Sequence, residues 1–487
     1  MRRTSILTLC LSLWAALICC TITASAAPPN VVFILADDLG YADLACYGSK
    51  YYETPNLDKL AKQGLRFTNA HTCGLNCQPT RAALLTGQYG PRTGIYTVGG
   101  IDRFDWQSRP LKPVENVTQL DLKKQTVAEC LQANGYKTGM CGKWHLGQDD
   151  AHHPSKQGFA EAISSSGKHY DFATSPKTDY PKGQYLADFL TDKATDFITR
   201  HKDEPFFLYV PHFGVHSPFQ AKPELIAKFK NKTASGGHDD PTYAAMIYSI
   251  DESVGRIIAK LDELKLSENT LVIFSSDNGG VGGYGELGTG KGVTENMPLR
   301  GGKGMIYEGG HRVPFIARWP GKIPEGKETD KSIISVDLLP TLLEVTKSSP
   351  PTDQPLDGTS LLPLLASGGQ SGLPERAIYW HFPGYLGQGA NSWRTTPASA
   401  IRSGDWKLIE FLEDGRLELY DLGSDIGEKK NLAQEQPEKA KQLLAQLHTW
   451  RKEVNAPMPA KNTPSTDNAT KGKGKGGKKK AKSAGDD

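Results

Sequence analysis

Seven consecutive residues, N-V-V-F-I-L-A at 30–36, carry no polar interruption after the leading Asn and run straight into two carboxylates, Asp37 and Asp38. A half-buried strand alternates apolar and polar side chains, whereas an unbroken apolar run has both faces covered. The run is therefore expected to be an interior strand of a parallel sheet with helices on either side. Residues 205–210 (P-F-F-L-Y-V), 270–275 (T-L-V-I-F-S) and 313–317 repeat the pattern. Between them, 243–264 carries Met246, Ile250, Val254, Ile257, Ile258 and Leu261 at helical spacing. Strands alternating with helices predict an α/β fold.

The Gly/Ser-rich stretch 365–375 reads as a linker. Beyond it, 377–381, 398–411 and 417–420 read as short strands and 437–454 as a helix, a small C-terminal α+β subdomain. The expected division is 1–26 leader, 27–370 main domain, 371–456 subdomain and 457–487 disordered Lys/Gly-rich tail. The leader has Arg2 and Arg3, an apolar stretch at 6–22 and Ala24-Ser25-Ala26, the pattern of a secretory signal peptide. No later segment is apolar enough to span a bilayer, so the mature chain is expected to be exported, periplasmic or secreted, with no integral membrane segment. Five cysteines follow the leader: Cys46, Cys73, Cys77, Cys130 and Cys141. An odd number in an oxidising compartment suggests one thiol with a separate fate; with Cys77 set aside, four remain and three pairings stay open.

The formal charge of +3 hides a split. Without the leader and the eight Lys and three Asp of 461–487, 47 basic residues face 51 acidic ones. That mildly acidic body excludes nucleic-acid binding by charge.

The chemistry gathers at strand ends. The first strand ends in Asp37-Asp38 and the 270–275 strand in Asp277-Asn278. Either pair alone is an ordinary turn starter. Both together, each after a β-branched run, put three carboxylates and an amide oxygen at the carboxyl edge of a sheet, where α/β sites form. Such hard oxygen donors suit Ca²⁺, with Mg²⁺ possible, better than Zn²⁺. Cys77-Gln78-Pro79-Thr80-Arg81 precedes A-A-L-L-T-G, a helix start. Cys77 would sit at the helix N-terminus, where the dipole acidifies a thiol, with Arg81 one turn on.

These segments resemble the type I, formylglycine-dependent sulfatases of the alkaline phosphatase superfamily. C-x-P-x-R followed by A-A-L-L-T-G is similar to that family's maturation motif, and N-V-V-F-I-L-A-D-D-L-G-Y to its metal-binding start. Residues 142–147 (G-K-W-H-L-G), 206–218, 276–279 and 299–321 are similar to four further elements, in the same order, and the likeness covers about 27–455. It implies an alkaline-phosphatase-like sandwich with a large, mostly parallel central sheet flanked by helices, plus an α+β subdomain with an antiparallel sheet. It implies conversion of Cys77 to formylglycine (3-oxoalanine) by a maturation enzyme, whose hydrate attacks sulfur and then expels sulfate. Asp37, Asp38, Asp277, Asn278 and residue 77 would hold the cation. Lys143 and Lys303 would contact sulfate oxygens, His145 would assist elimination, His216 would protonate the leaving alkoxide, and Arg81 would orient residue 77. In the subdomain, His381, Trp393 and Arg394 are candidate substrate contacts.

The resemblance points to hydrolysis of sulfate monoesters on a sulfated carbohydrate. The alternatives are a phosphonate or phosphate-ester hydrolase of the same superfamily and a glycan-binding relative without catalysis. Asp149, Asp150, His152 and His153 read as a solvated turn, and the Gly-rich 279–290 lacks a nucleotide-loop pattern. The Lys/Gly tail reads as a solvated tether.

Overall fold

The computed structural model describes residues 27–287, 291–387 and 393–462. The leader and most of the tail lie outside the described residues. The first strand, β1 (Asn30–Ala36), is wholly buried. It lies between β6 (Phe206–Pro211) and β7 (Thr270–Ser276), parallel to both. Its side chains divide as the unbroken run requires. Val32, Ile34 and Ala36 enter the core on one face of the sheet. Val31, Phe33 and Leu35 enter the core on the other.

The central sheet has ten strands among the described residues. The others are β2 (Leu65–His71), β3 (Lys137–Gly142), β4 (Glu161–Ser166), β5 (Ala173–Ser175), β8 (Arg312–Arg318), β9 (Lys327–Thr329) and β10 (Ile333–Ile334). Their order is β9-β2-β8-β7-β1-β6-β3-β4-β5, with β10 also on β2. The run from β7 to β4 is parallel throughout. Only β8, between β2 and β7, and the edge strand β5 run against their neighbours.

Helix α1 (Cys77–Thr86) is buried along its whole length. It stops where Gly87 turns left-handed at φ 67° and its N–H bonds Ala83 O. On the opposite face, α2 (Leu186–Arg200) and α3 (Pro241–Glu263) pack together and cover the sheet. Asp240 caps α3 by accepting from Thr242 and Tyr243 N–H.

The subdomain is a four-stranded antiparallel sheet of β11 (Ala377–Phe382), β12 (Ala398–Ser403), β13 (Trp406–Phe411) and β14 (Leu417–Asp421). Helix α4 (Pro437–Glu453) packs on it through Leu443, Leu447 and Trp450.

Two expectations change. Residues 457–462, assigned to the disordered tail, are docked: Ala460–Lys461 pairs with Leu111–Lys112, and Pro457 O accepts from His381 Nε2. The five cysteines are all free thiols. Cys130 and Cys73 belong to two different cores, and Cys46 and Cys141 to a third, so none of the three open pairings forms. No described helix is long and apolar enough to cross a membrane.

Candidate active site

Three segments meet at the carboxyl edge of the sheet. Beyond β1, Asp37 N–H donates to Gly214 O and Asp37 O accepts from Val215 N–H, which zips the β6 loop onto the β1 end. Beyond β7, Asp277 N–H bonds Ala36 O, and Asp277 Oδ1 accepts from Asp38 N–H at 3.2 Å. Beyond β3, Lys143 N–H bonds Pro211 O. Gly142 is required before it, since a Cβ there would lie 1.9 Å from Pro211 O. Asp38 and His145 both hold left-handed backbones, φ 66° and 67°. For residues with a Cβ this conformation is strained, and it concentrates where function fixes a side chain.

Cys77 opens α1 and points into this junction. Its Sγ lies 3.6 Å from Lys143 Nζ and 3.9 Å from Asp38 Oδ1. Lys143 Nζ is 2.7 Å from Asp37 Oδ2. Lys303 Nζ is 2.9 Å from the Asp38 carboxylate. Arg81 donates through Nε and Nη2 to Asp277 Oδ2 (3.0 and 2.7 Å) and through Nη1 to the carbonyl of Lys143 (2.6 Å). It thus locks the strand ends together. His216 donates from Nδ1 to Ser217 O at 2.6 Å, leaving Nε2 facing Asp38 Oδ2 at 3.9 Å. His169 holds the His216 carbonyl at 2.8 Å. Five of the six catalytic candidates and all five metal candidates, Cys77 among both, meet here, and the sixth, His145, lines the adjoining cavity.

Burial sets the electrostatics. It opposes ionisation of Asp37, but Lys143, His216, Arg81 and Lys303 overcome it and hold that carboxyl far below the usual range. Asp277 goes the other way: burial, reinforced by the Asp37 charge, pushes it up to about 7. Three carboxylates in one buried site cannot all ionise cheaply without added positive charge. The Cys77 thiol is also pushed well above its ordinary value, because burial outweighs Lys143 and Lys303. This corrects the expectation of an acidified thiol, since the helix N-terminus is dry.

The donor set fits a hard cation. Asp37, Asp38, Asp277 and Cys77 each bring a ligand atom within 4.8 Å of the others. Asn278 Nδ2 donates to Asp38 Oδ1 at 2.8 Å. Asp37 Oδ1 and Asn278 Oδ1 are buried without a hydrogen-bond partner, a cost that a cation between them would remove.

A cavity of about 420 Å³ opens beside Lys143, His145 and His216. Its remaining wall includes Gln148, Asp149, His153, Ser164, Ser165, Ser166, Ser175 and Phe213. Sequence reading missed this wall, having taken Asp149 and His153 for a solvated turn. The serines lie on the β4–β5 edge pair, whose position depends on chain pairing rather than on any local motif.

The three subdomain candidates separate. Arg394 lies over the Tyr284 ring at 4.5 Å, and Tyr284 hydroxyl donates to the carbonyl of Lys303. His381 has both ring nitrogens engaged, with Ser399 and Pro457. Trp393 packs against Tyr385 and Phe104. None of the three lines the cavity; His381 and Trp393 have packing roles, against the expectation of substrate contact.

A fold of this topology, with a cysteine, two lysines and two histidines around buried carboxylates, defines a hydrolase of anionic esters. The sulfatase family model matches residues 29–348, and the C-terminal model of N-sulphoglucosamine sulphohydrolase matches 302–456. The chain belongs to the sulfatase family, hydrolases of sulfuric esters. It is 34% identical to a sulfatase of Formosa agariphila, over 88% of this chain and 90% of that protein. It is 30% identical to an N-acetylgalactosamine-6-O-sulfatase of Bacteroides thetaiotaomicron, over 86% and 93%. The crystal structure of Ps i-CgsB superposes with a TM-score of 0.73 at 29% identity, covering 91% of this chain and 96% of that one.

Proposed function

We propose that the protein is an exported sulfatase that removes sulfate monoesters from a sulfated carbohydrate, using formylglycine made from Cys77 and a divalent cation, Ca²⁺ or Mg²⁺. The observation that carries this reading is the meeting of Cys77 Sγ with Lys143 Nζ at 3.6 Å and Asp38 Oδ1 at 3.9 Å, beside an open cavity. The carbohydrate is inferred from relatives named for N-acetylgalactosamine sulfate. Export is inferred from the 1–26 leader.

Asp37, Asp38, Asp277 and Asn278 would hold the cation, which when bound supplies positive charge to neutralise sulfate oxygens. Residue 77, if converted to formylglycine by a maturation enzyme, would supply the nucleophilic hydroxyl for attack on sulfur, with the second hydroxyl of its hydrate available for release of sulfate. Lys143 and Lys303 screen the anionic oxygens during attack. His216, with Nδ1–H fixed on Ser217 O, delivers a proton from Nε2 to the departing alkoxide. His145, in the cavity wall, takes the proton released in the elimination step. Arg81 keeps Asp277 and Lys143 in register. Arg394, which lies outside the cavity lining, is kept as a contact for parts of the substrate that extend beyond it.

The test is mass spectrometry of the peptide spanning Cys77 in active protein. Conversion of thiol to aldehyde lowers its mass by about 18 Da. Active protein with an ordinary thiol at 77 overturns the reading.

A further inference from the structure

The cavity beside the reaction centre has an uneven charge distribution. Its permanent positive charge lies at the reaction centre: among the described residues no lysine or arginine other than Lys143 lines it, and Arg394 stays outside the lining. The far wall offers neutral hydrogen-bonding groups, Gln148, Ser164, Ser166 and Ser175, and one carboxylate, Asp149. Asp149 is fixed where it stands. Its Oδ1 accepts from the His152 ring at 2.7 Å and from His152 N–H at 2.9 Å, and its Oδ2 accepts from Gln119 at 2.8 Å. The His152 bonds, ring first, hold its carboxyl down at about 2, so it is ionised throughout any working range. The wall itself is braced, because His153 bonds the carbonyl of Ser175 at 3.1 Å and Ser164 pairs with Ser175 across β4 and β5.

We infer that this cavity seats a neutral, hydroxyl-rich sugar ring bearing a single sulfate, and that Asp149 is the specificity-determining residue that rejects a ring carrying a second anion. The inference deepens the sulfatase reading and rests on it for the identity of the first anion. A volume of about 420 Å³ suits one or two sugar rings. The first sulfate is matched by Lys143 and Lys303. A second sulfate or a uronate carboxylate in the same seat would lose its hydration, meet no lysine or arginine and face the Asp149 charge. Serine hydroxyls and the Gln148 amide, in contrast, can both donate to and accept from sugar hydroxyls.

The test is equilibrium binding to full-length Cys77→Ala protein, which reads the seat without turnover. The probes are N-acetylgalactosamine carrying a 4-sulfate, a 6-sulfate or both. The expected result is that one monosulfated ring binds at least about tenfold more tightly than the disulfated ring. In Asp149→Asn on the same background the ratio should shrink at least about threefold. If that variant fails to fold, the ratio measured with Asp149 intact should shrink as salt rises from about 50 to about 500 mM. A disulfated ring bound as tightly as the better monosulfated one, a ratio unmoved by both Asp149→Asn and salt, or no binding of any ring overturns the proposal. If the binding ratio holds but matured wild-type protein releases no sulfate, the sulfatase reading fails and the seat stands.

Discussion

Two clusters of buried charge lie in the fold, and by donor spacing both look able to hold a metal. One is the reaction centre. The other joins the main domain to the subdomain: Glu308 and His311 beside β8, His71 at the end of β2, Arg402 and Lys407 on β12 and β13, and Glu428. In this second cluster every carboxylate oxygen faces an ammonium, a guanidinium or an N–H, Glu428 Oε1 meeting Lys407 as an ion pair without a hydrogen bond. Lys407 Nζ lies 3.0 Å from Glu308 Oε1 and 2.9 Å from Glu428 Oε1. Arg402 is 3.1 Å from Glu308 Oε2, and Glu308 N–H is 2.7 Å from Glu428 Oε2. Lys407 also reaches His311 Nε2 at 3.0 Å. The ammonium therefore stands where a metal would. At the reaction centre Asp37 Oδ1 and Asn278 Oδ1 have no such donor, and a cavity opens alongside. Distance between donors does not separate a site from a strut; unspent lone pairs and access do.

The sharpest break is to remove chemistry at one cluster and stability at the other. Cys77→Ala should lower sulfate release by about four orders of magnitude or more, as loss of a nucleophile does, with little change in melting temperature. Undiminished turnover in that variant sinks the assignment. Asp37→Asn should also abolish turnover, and it should remove the rise in melting temperature that Ca²⁺ gives wild-type protein through mass action. A variant that is still stabilised by Ca²⁺ would put the cation elsewhere.

His216→Gln comes next, with a loss of about 10²–10⁴ in kcat. The loss should be smaller for an aryl sulfate with an acidic phenol, which needs little protonation, than for a sugar sulfate. Equal losses on both would remove the general-acid role. Glu308→Ala should invert this pattern. It leaves Arg402 buried without its carboxylate and Lys407 with Glu428 alone, a cost of about 3–5 kcal/mol, while the fraction that stays folded should turn over within about threefold of wild type. A folded, stable Glu308→Ala protein with lost activity would move that cluster into the catalytic machinery.

The same contrast explains what the sequence made legible. Asp37-Asp38 and Asp277-Asn278 were readable because each follows a run whose burial is dictated by composition, and parallel strands bring such ends together. Cys77 was readable as a helix start, but its raised thiol was not, since no local pattern reports that all ten residues of α1 are buried. The second cluster was invisible: Glu308 meets Glu428 across 120 residues, and His71 meets Arg402 across 331. The β4–β5 wall was hidden for the same reason. The docking of 457–462 was masked by the Lys/Gly composition that begins just after it.

Acid should find the second cluster at modest cost, which gives the finest test. Burial first, and then the neighbouring cations, hold His71 and His311 well below the ordinary histidine range, so both are neutral when folded. Burial likewise depresses His169, His212 and His381 to about 4. A group depressed on folding stabilises above its unfolded value and loses that contribution as pH falls toward the folded one. Each of these histidines should therefore cost about 1 kcal/mol of stability by pH 5.5, relative to pH 7.5. Glu428 and Asp277, raised by burial to about 7, and Asp251, raised by burial to about 6, act in the opposite sense, gaining as pH falls, and offset part of the loss from the five histidines. The melting temperature should decline through this window, and the decline should be shallower in His311→Asn, which has no imidazole to titrate. A decline as steep in His311→Asn as in wild type would mean that the His311 ring is already charged in the fold. The close approach of Lys407 to His311 would then have to be explained by something other than a neutral acceptor.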